Sequence, residues 1–441
     1  MLPLPRSTLL LLLAASGCYA DSAVEGLPCT DDRSCGPEHV CTLGYCRDQP
    51  EDALAGCGDG TLAVGEWCYP LSRRLELPLG DTAELRDLAW ADLDGNGLDD
   101  ALVITAVATA AYLNLGGAFN ANLLEVRLTP ESLASLPLPE AAAELTVPVQ
   151  PRRLTTGDFV GDALPDMVFA LEVTAEVSPM FDPLREIIEA PLWIANNQGD
   201  SLSAPLPIPA TDPLGLAELP EGGLQTGDFD GDGRVDLVVV TTDDQGTTIR
   251  WLRGSPQGPT SPQVVPLDGA ARVMVADIDE DGRDDLIGLR RTMGMISWLR
   301  GPLDATTPER LDLGAPVTAI HVGPLDDAPG QDLAVLGQDP ATRTLWSWTG
   351  ESFAEATSRE GPEALDIAGG DVDGDLVPDL LTVGPEGVMV QSGFTGPQLG
   401  AALVIVDEAA TTIEARSLDD DAAPDLVLTD TRCVIVRLAN P

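Results

Sequence analysis

A nine-residue pattern of aspartates recurs along the chain and constrains its fold more than any other sequence feature. The clearest copy begins at Asp228 and reads DFDGDGRVD, and the apolar run Leu237–Val240 follows it. Copies that keep most of the pattern begin at residues 92, 277 and 371, and worn copies begin at residues 158, 324 and 417. Successive starts are 66, 70, 49, 47, 47 and 46 residues apart.

A period in the high forties, with one tight turn and several short apolar runs per unit, is typical of β-propeller blades. Each unit reads as one strand before the Asp loop and three strands after it. The 44 glycines, the 37 prolines and an aromatic content of only 4% also favour short strands and tight turns. Aromatic residues on the third strands are expected to pack between neighbouring blades: Tyr112, Trp193, Trp251, Trp298 and Trp348.

The last unit is too short to form a blade alone. After Asp425 there is room for only two strands, whereas Leu75–Leu79 precedes the first unit where other units have their outer strand. We therefore expect this segment to complete the last blade, which removes exposed sheet edges. The predicted fold is all-β: a seven-bladed β-propeller over residues 71–441, closed by an N-terminal strand. The extra segments of the first two units, near 130–149 and 177–191, are expected to project from one face as loops.

Aspartates at alternate positions of a tight loop favour a calcium site, because Ca²⁺ takes six to eight oxygen ligands. In the clearest copy, the expected ligands are the side chains of Asp228, Asp230, Asp232 and Asp236 and the backbone carbonyl of Arg234. Gly231 and Gly233 would permit the positive φ angles that the loop needs. A solvated turn is the alternative for a single copy, but four nearly complete copies at a regular period argue against it.

These residues resemble the FG-GAP/VCBS repeat, the calcium-loop unit of integrin α-subunit heads and of many bacterial surface proteins. The resemblance implies a propeller whose Asp loops join the first two strands of each blade. Carried over by position, it marks three further ligand sets: Asp92, Asp94, Asn96, Leu98 and Asp100; Asp277, Asp279, Asp281, Arg283 and Asp285; and Asp371, Asp373, Asp375, Val377 and Asp379.

Three of the copies depart further from the pattern. Weaker sites are expected at two of them: Asp158, Asp162 and Asp166, and Asp419, Asp421 and Asp425. The copy at residue 324 keeps only Asp326 and Asp332 and is not expected to bind. Glu280 and Leu376 stand where glycine is usual, and we expect them to strain their loops and lower the affinity.

The first 18 residues predict an export signal. Arg6 is a short positive region, Leu9–Leu13 are apolar, and Ala15-Ser16-Gly17-Cys18 resembles a bacterial lipobox. Lipidation of Cys18 would anchor an exported chain to the bacterial outer membrane or cell surface. An ordinary secretory signal that is cut near Ala20 is the alternative.

Six cysteines between Cys29 and Cys68 predict a disulfide-rich module over residues 19–70. Zinc binding is disfavoured, since this segment has no CxxC pair and only His39 as a nearby histidine. The stretch from Cys57 to Cys68 resembles the short Cys-rich modules of myxobacterial surface proteins. Cys433 is expected to be a buried free thiol, with a bridge to Cys57 or Cys68 as the alternative.

The formal charge of −48 argues against a nucleic acid partner and is compatible with cations. With only two histidines, no phosphate loop and no dinucleotide fingerprint, the chain is predicted not to be an enzyme. The predicted function is a surface-anchored, calcium-binding module for protein or polysaccharide partners. The alternatives are an extracellular glycan-active hydrolase or lyase on a propeller scaffold, and a structural protein without a specific ligand.

Overall fold

In a computed structural model of the protein, the described residues are the strands at 39–42, 45–48, 61–64, 67–70 and 74–77, residue 79, and residues 84–439 with gaps at 107, 117, 125, 135, 137–146, 174–186, 190, 200, 209–218, 221, 244–245, 268, 271, 305–306, 327, 339–340, 373–376, 386, 392–401, 407–409 and 420–422. Before Leu75 only the backbone is described. The predicted signal with Cys18 and most of the predicted Cys-rich module lie outside these residues.

The N-terminal strands form two hairpins and one further strand. They are β1 (His39–Thr42), β2 (Tyr45–Asp48), β3 (Thr61–Val64), β4 (Trp67–Pro70) and β5 (Arg74–Leu77). β1 pairs with β2, β3 pairs with β4, and both pairs are antiparallel.

Blades 1 to 4 follow in chain order. Blade 1 has β6 (Leu85–Ala91), β7 (Asp100–Thr105), β8 (Thr109–Asn114) and β9 (Phe119–Leu123). Blade 2 has β10 (Arg127–Leu128), α1 (Pro130–Leu133), β11 (Val147–Gly157), β12 (Asp166–Val173), β13 (Leu192–Ala195) and β14 (Leu206–Pro207). Blade 3 has β15 (Leu224–Gly227), β16 (Asp236–Asp243), β17 (Gly246–Arg253) and β18 (Thr260–Val265). Blade 4 has β19 (Arg272–Ala276), β20 (Asp285–Arg290), a 3-10 turn (Arg291–Met293), β21 (Met295–Leu299) and β22 (Glu309–Asp312).

The remaining strands form blades 5 to 7. Blade 5 has β23 (Val317–Gly323), β24 (Asp332–Gly337), β25 (Thr342–Trp348) and β26 (Phe353–Glu360). Blade 6 has β27 (Asp366–Gly370), β28 (Asp379–Gly384), β29 (Gly387–Gln391) and β30 (Ala402–Val406). Blade 7 has β31 (Thr412–Arg416), β32 (Asp425–Thr429) and β33 (Val434–Arg437), with β5 as its fourth strand.

The seven sheets confirm the predicted all-β, seven-bladed propeller. Each blade is an antiparallel meander of four strands, and blade 2 gains a fifth because β10 pairs with the start of β11. The first strands of neighbouring blades contact one another around the axis, as β6 does with β11 and β23 with β27. The second strands are the most apolar, and every residue of β7 and β28 is buried between adjacent blades.

The ring closes as expected, through β5. Leu77 lies opposite Val434 and Leu75 lies opposite Val436 on the neighbouring strand β33. Leu77 is buried and packs with Ala101 and Val103 of blade 1, so the closing strand also joins the last blade to the first. Apolar burial of this kind stabilises by about 25 cal/mol per Å².

Cys433 lies just before β33 and is buried. It is disulfide-bonded, so the expectation of a free thiol is wrong. The cysteine to which it is bonded lies outside the residues whose side chains are described.

The extra segments of the first two units are not simply projecting loops. Leu133, Val147 and Val149 are buried in the same cluster as Leu102 of blade 1. Ile188, from the second segment, is buried there too. The described ends of both segments carry apolar side chains that bury against blades 1 and 2, because exposing them to water would cost free energy.

The aromatic residues of the third strands pack between blades, as expected. Trp193 lies in one cluster with Leu102 of blade 1, and Trp251 lies with Leu286 of blade 4. Tyr112, Trp298 and Trp348 are likewise buried. Within the described residues, no helix has the length and hydropathy that a membrane span requires.

Candidate metal centres at the Asp loops

Each Asp loop joins the first strand of a blade to the second. The loop from Asp228 to Asp236 begins directly after Gly227, where β15 ends, and closes at the start of β16. Gly231 and Gly233 have φ angles of +72° and +83°, as expected. Glu280 and Ala163 adopt the same left-handed conformation at φ +57° and +70°, which is unfavourable for residues with a Cβ.

The aspartate at the first position organises the turn in the loops that begin at residues 92, 228 and 277. Asp228 accepts hydrogen bonds at Oδ1 from the backbone N–H groups of Gly231 (2.8 Å) and Asp232 (3.1 Å), and at Oδ2 from that of Gly233 (2.8 Å). Asp92 and Asp277 accept from the equivalent backbone groups of their own loops. The turn is therefore held by local bonds of the Asx type.

Three groups of carboxylates come together at the first, third and ninth positions of a loop. In each group the ligand oxygens lie within 4.8 Å of one another: Asp92, Asp94 and Asp100; Asp228, Asp230 and Asp236; and Asp277, Asp279 and Asp285. Three negative charges this close repel one another unless a cation or protons intervene. Groups of this kind could hold a metal ion.

The aspartates at the third position of two loops give the strongest indication of a bound cation. Oδ1 of Asp230 and Oδ1 of Asp279 are buried and accept no hydrogen bond. The other oxygen of each is paired with an arginine from the end of the third strand. Arg253 Nη1 is 3.6 Å from Oδ2 of Asp230, and Arg300 Nη1 donates to Oδ2 of Asp279 at 3.0 Å. A buried carboxylate oxygen without a donor is costly, and a bound cation would satisfy it. The residues present therefore fit a divalent ion with oxygen ligands.

The aspartates at the fifth position of the pattern are not part of these groups. Asp232 and Asp281 lie outside them, and Asp232 is paired with Arg234 at 2.9 Å. Asn96 donates from Nδ2 to the carbonyl of Asn114 at 2.8 Å. The expected carbonyl ligands Leu98, Arg234 and Arg283 stay predictions.

The aspartate at the ninth position of the pattern has a structural role that sequence reasoning missed. Asp285 accepts at Oδ2 from Ile278 N–H and at Oδ1 from Gly301 N–H, both at 2.9 Å, and so ties its loop to the end of β21. Equivalent bonds are made in the worn loops, by Asp332 to Leu325 and Trp348. All seven ninth-position residues are at most 1% exposed: Asp100, Asp166, Asp236, Asp285, Asp332, Asp379 and Asp425.

Retention of this aspartate in loops that have lost other ligands could have signalled the role. Asp332 survives in a loop that otherwise keeps only Asp326, and Asp425 survives in a loop that has lost its first aspartate. The ninth aspartate is thus an anchor of every blade as well as a candidate ligand in the complete loops.

Burial perturbs the acidity of these anchors. Desolvation raises the pKa of Asp285 to about 7 and the pKa values of Asp236 and Asp166 to about 6, against the lowering effect of their hydrogen bonds. The pKa values of Asp100 and Asp332 are also raised by burial. Without a cation, protons therefore compete for the ninth position near neutral pH.

The remaining loops are described only in part or lack a complete group. In the loop from Asp371 to Asp379, Asp373 and Asp375 lie outside the described residues, while Asp379 accepts from Val372 N–H at 3.0 Å and Val377 is half-buried. Asp158 accepts from backbone N–H groups of its loop, including that of Asp162 at 2.9 Å.

Of the last loop, Asp419 and Asp425 are described and Asp421 is not. In the loop at residue 324, Asp326 accepts a hydrogen bond from the hydroxyl of Ser347 at 2.7 Å. A neutral donor thus satisfies one oxygen of Asp326. The expectation that this loop does not bind stays a prediction.

A polar cavity of about 280 Å³ lies on the propeller axis between the first strands of blades 1, 2, 3 and 7. Side chains along it include Asp87, Trp90, Gln225, Glu414 and Arg416. Arg416 bonds to Glu414 at 2.8 Å, and its guanidinium lies over the Trp90 ring. The cavity therefore presents carboxylate, amide and hydroxyl groups with little apolar surface.

Comparison with known proteins agrees with the loop geometry. Residues 228–288 match the model of the FG-GAP-like repeat. This match spans blade 3 from its Asp loop onward and the loop and second strand of blade 4, where two of the three carboxylate groups lie. No curated protein matches the chain.

Several solved structures are similar in fold. A lectin of Agrocybe aegerita that recognises non-reducing terminal N-acetylglucosamine is 13% identical, with a TM-score of 0.47, over 78% of this chain and 81% of the lectin. The rhamnogalacturonan lyase YesW is 13% identical and the exotype lyase YesX 15%, each with a TM-score of 0.46 over 90% of this chain and 79% of the lyase. These likenesses concern the fold alone.

The prediction that the chain is not an enzyme is wrong as it stands, because the structures of similar fold include two lyases as well as a lectin. Few histidines and absent nucleotide motifs do not exclude catalysis on such a scaffold, since function lies in sites carried by a fold and not in the fold itself.

Proposed function

We propose that the protein is a calcium-stabilised β-propeller that binds a polysaccharide or protein partner outside the cytoplasm, anchored through a lipid on Cys18. The observation that carries the metal part is the pair of buried carboxylate oxygens without donors, Asp230 Oδ1 and Asp279 Oδ1. Calcium fits them because it is a hard cation that prefers oxygen ligands and tolerates irregular geometry.

Calcium would supply positive charge and no redox chemistry. The aspartates at the first, third and ninth positions of a loop would hold the ion. A loop with a bound ion would join the first two strands of its blade more rigidly than the same loop without one. Extracellular calcium modules have Kd values of about 10⁻⁴ to 10⁻³ M, so each site would add about 1.4 to 2.7 kcal/mol to the free energy of unfolding at about 10 mM calcium.

Metal content and thermal melting test this part with the full chain. We expect dialysis against calcium to leave bound ions, and the melting temperature to rise relative to protein in chelator. Asp230→Asn and Asp279→Asn should each remove one equivalent, whereas Asp304→Asn, at an exposed position outside the loops, should remove none. A chain that retains no cation and melts identically in calcium and in chelator would overturn the proposal.

The ligand part is supported by the axial cavity, whose carboxylate and amide groups suit the hydroxyl groups of a saccharide. A glycan array probed with the full chain tests it. Glu414→Gln and Gln225→Ala should lower the affinity for any glycan that the unmodified protein binds. Glu355→Gln, on the exposed outer strand β26, should leave that affinity unchanged. Binding without loss in the cavity variants would move the site elsewhere, and depolymerisation of the glycan would assign the scaffold to catalysis.

Export and anchoring are tested separately. Lipid labelling of the protein in a bacterial host should be abolished by Cys18→Ser, and the variant should be released from the membrane fraction. Release of the unmodified protein would instead support an ordinary secretory signal.

A further inference from the structure

Neighbouring Asp loops are hydrogen-bonded to one another around the ring. The backbone N–H of Val235 donates to the carbonyl of Asp158 at 3.1 Å, and the N–H of Asp284 donates to the carbonyl of Asp228 at 3.1 Å. In both cases the eighth residue of one loop reaches the first residue of the loop in the preceding blade. The loops are therefore a connected series and not isolated turns.

Asp284 makes a second bond that strengthens one of these links. Its Oδ2 accepts from the backbone N–H of Asp228 at 2.7 Å, so both backbone groups of Asp228 are bonded to Asp284. The other loops have Asp99, Pro165, Val235, Gln331, Pro378 and Pro424 at this position. Of these only Asp99 has a carboxylate, and it is paired with Arg416 at 2.9 Å.

The two neighbours of Asp284 in the sequence contact different loops. Arg283 contacts the loop of blade 3, and Asp285 belongs to the candidate metal group of blade 4. Arg283 packs against Gly231, where an added Cβ would lie 3.1 Å from its Nε. Asp285 closes the candidate metal group of blade 4. The three consecutive residues 283–285 thus join the carboxylate group of blade 4 to the loop of blade 3.

We propose that the loops at Asp228 and Asp277 bind calcium cooperatively, with Asp284 as the positioning residue that couples them. The inference builds on the calcium binding proposed above. A cation in the loop at Asp277 orders residues 283–285, and Asp284 then holds the backbone of Asp228 in place. The second ion then binds a loop that is already ordered, so its binding costs less conformational entropy. This gives positive cooperativity without a large change of shape. The coupling is reciprocal, as equilibrium linkage requires.

The test uses the full chain with the nearly complete loops at residues 92 and 371 disabled by Asp94→Ala and Asp371→Ala. The two weaker loops are disabled by Asp162→Ala and Asp419→Ala, and calcium binding is followed by titration calorimetry. We expect two equivalents with a Hill coefficient above 1. Asp284→Ala should remove the cooperativity and raise the half-saturating calcium concentration about fivefold. Asp284→Asn, which keeps an oxygen that accepts from Asp228 N–H, should retain most of it.

Two further variants separate the possible failures. Asp99→Ala is the matched control, since this carboxylate pairs with Arg416, and it should leave both constants unchanged. Asp277→Ala in the same background leaves one equivalent, which should bind several-fold more weakly than the pair and thus tests the coupling even if Asp284→Ala does not fold. A background that binds no calcium would refute the proposed metal sites. Two equivalents that bind independently and ignore Asp284→Ala would refute the coupling alone.

Discussion

Arg300 holds Asp279 by a single carboxylate oxygen, with 3.0 Å between Nη1 and Oδ2, and leaves Oδ1 buried without a donor. Arg253 forms the equivalent but longer ion pair with Oδ2 of Asp230, at 3.6 Å. Each arginine comes from the end of its third strand, where the sequence reads Trp-Leu-Arg-Gly in both blades. The arginine at the end of the third strand therefore determines which oxygen of Asp230 or Asp279 is left for a metal ion.

This relationship predicts how Arg300→Met changes the response to calcium. Without calcium, Asp279 loses its only side-chain partner and the variant should be less stable by about 1 kcal/mol or more. With calcium, the ion takes over part of that role, so the rise in melting temperature from chelator to calcium should be larger than in the unmodified protein. Arg310→Met on the exposed strand β22 is the control. Equal rises in both variants would contradict the assigned role of Arg300.

Glu280 predicts a stabilising substitution. Its φ of +57° is unfavourable for any residue with a Cβ, and glycine occupies the equivalent position in the loops at Asp92 and Asp228. Glu280→Gly should raise the free energy of unfolding by about 1 kcal/mol, measured by denaturant unfolding in chelator. Glu351→Gly, in an exposed turn without positive φ, should not stabilise. A destabilised Glu280→Gly variant would show that the side chain of Glu280 makes a contact that outweighs the strain.

Asp332 separates the anchoring role from metal binding. Among the described residues of its loop no three carboxylates come together as a metal group, yet the buried carboxylate of Asp332 accepts from Leu325 and Trp348. Asp332→Ala leaves both donors unsatisfied and should cost about 2 to 4 kcal/mol. The loss should be the same in calcium and in chelator when melting is compared in the two buffers. A loss confined to calcium would mean that this loop binds an ion after all.

The raised pKa values predict that calcium binding opposes the pH dependence of the free energy of unfolding. In chelator, Asp285 with a pKa of about 7 and Asp236 with a pKa of about 6 bind more protons folded than unfolded, where the usual value is near 3.9. Stability should therefore fall as pH rises from about 4 to about 7, by on the order of 1 kcal/mol per unit of pKa difference. Calcium binds the ionised carboxylates, so its stabilisation should grow over the same range.

Melting at pH 5 and pH 8, each with calcium and with chelator, checks this expectation. The chelated protein should melt higher at pH 5, and the difference between calcium and chelator should be larger at pH 8. Asp236→Asn cannot ionise and should flatten the pH dependence in chelator. A chelated protein that becomes more stable between pH 5 and pH 8 would contradict the assignment of buried, protonated anchors.

Periodic spacing allowed the seven blades, the position of each Asp loop and the closing strand Leu75–Leu79 to be predicted from the sequence, because strands and tight turns depend mainly on local pattern. The positive φ angles at Gly231 and Gly233 followed for the same reason. These features need only the order of residues along the chain.

Relations between blades were decided by the tertiary structure alone. No local pattern indicates that Asp284 bonds to Asp228, or that Arg300 leaves one oxygen of Asp279 without a donor, since the partners lie far apart in sequence. The burial that raises the pKa of Asp285 and the disulfide of Cys433 also depend on which segments meet. Local chemistry therefore determined the repeat, and packing between repeats determined which of its carboxylates are ready for a cation.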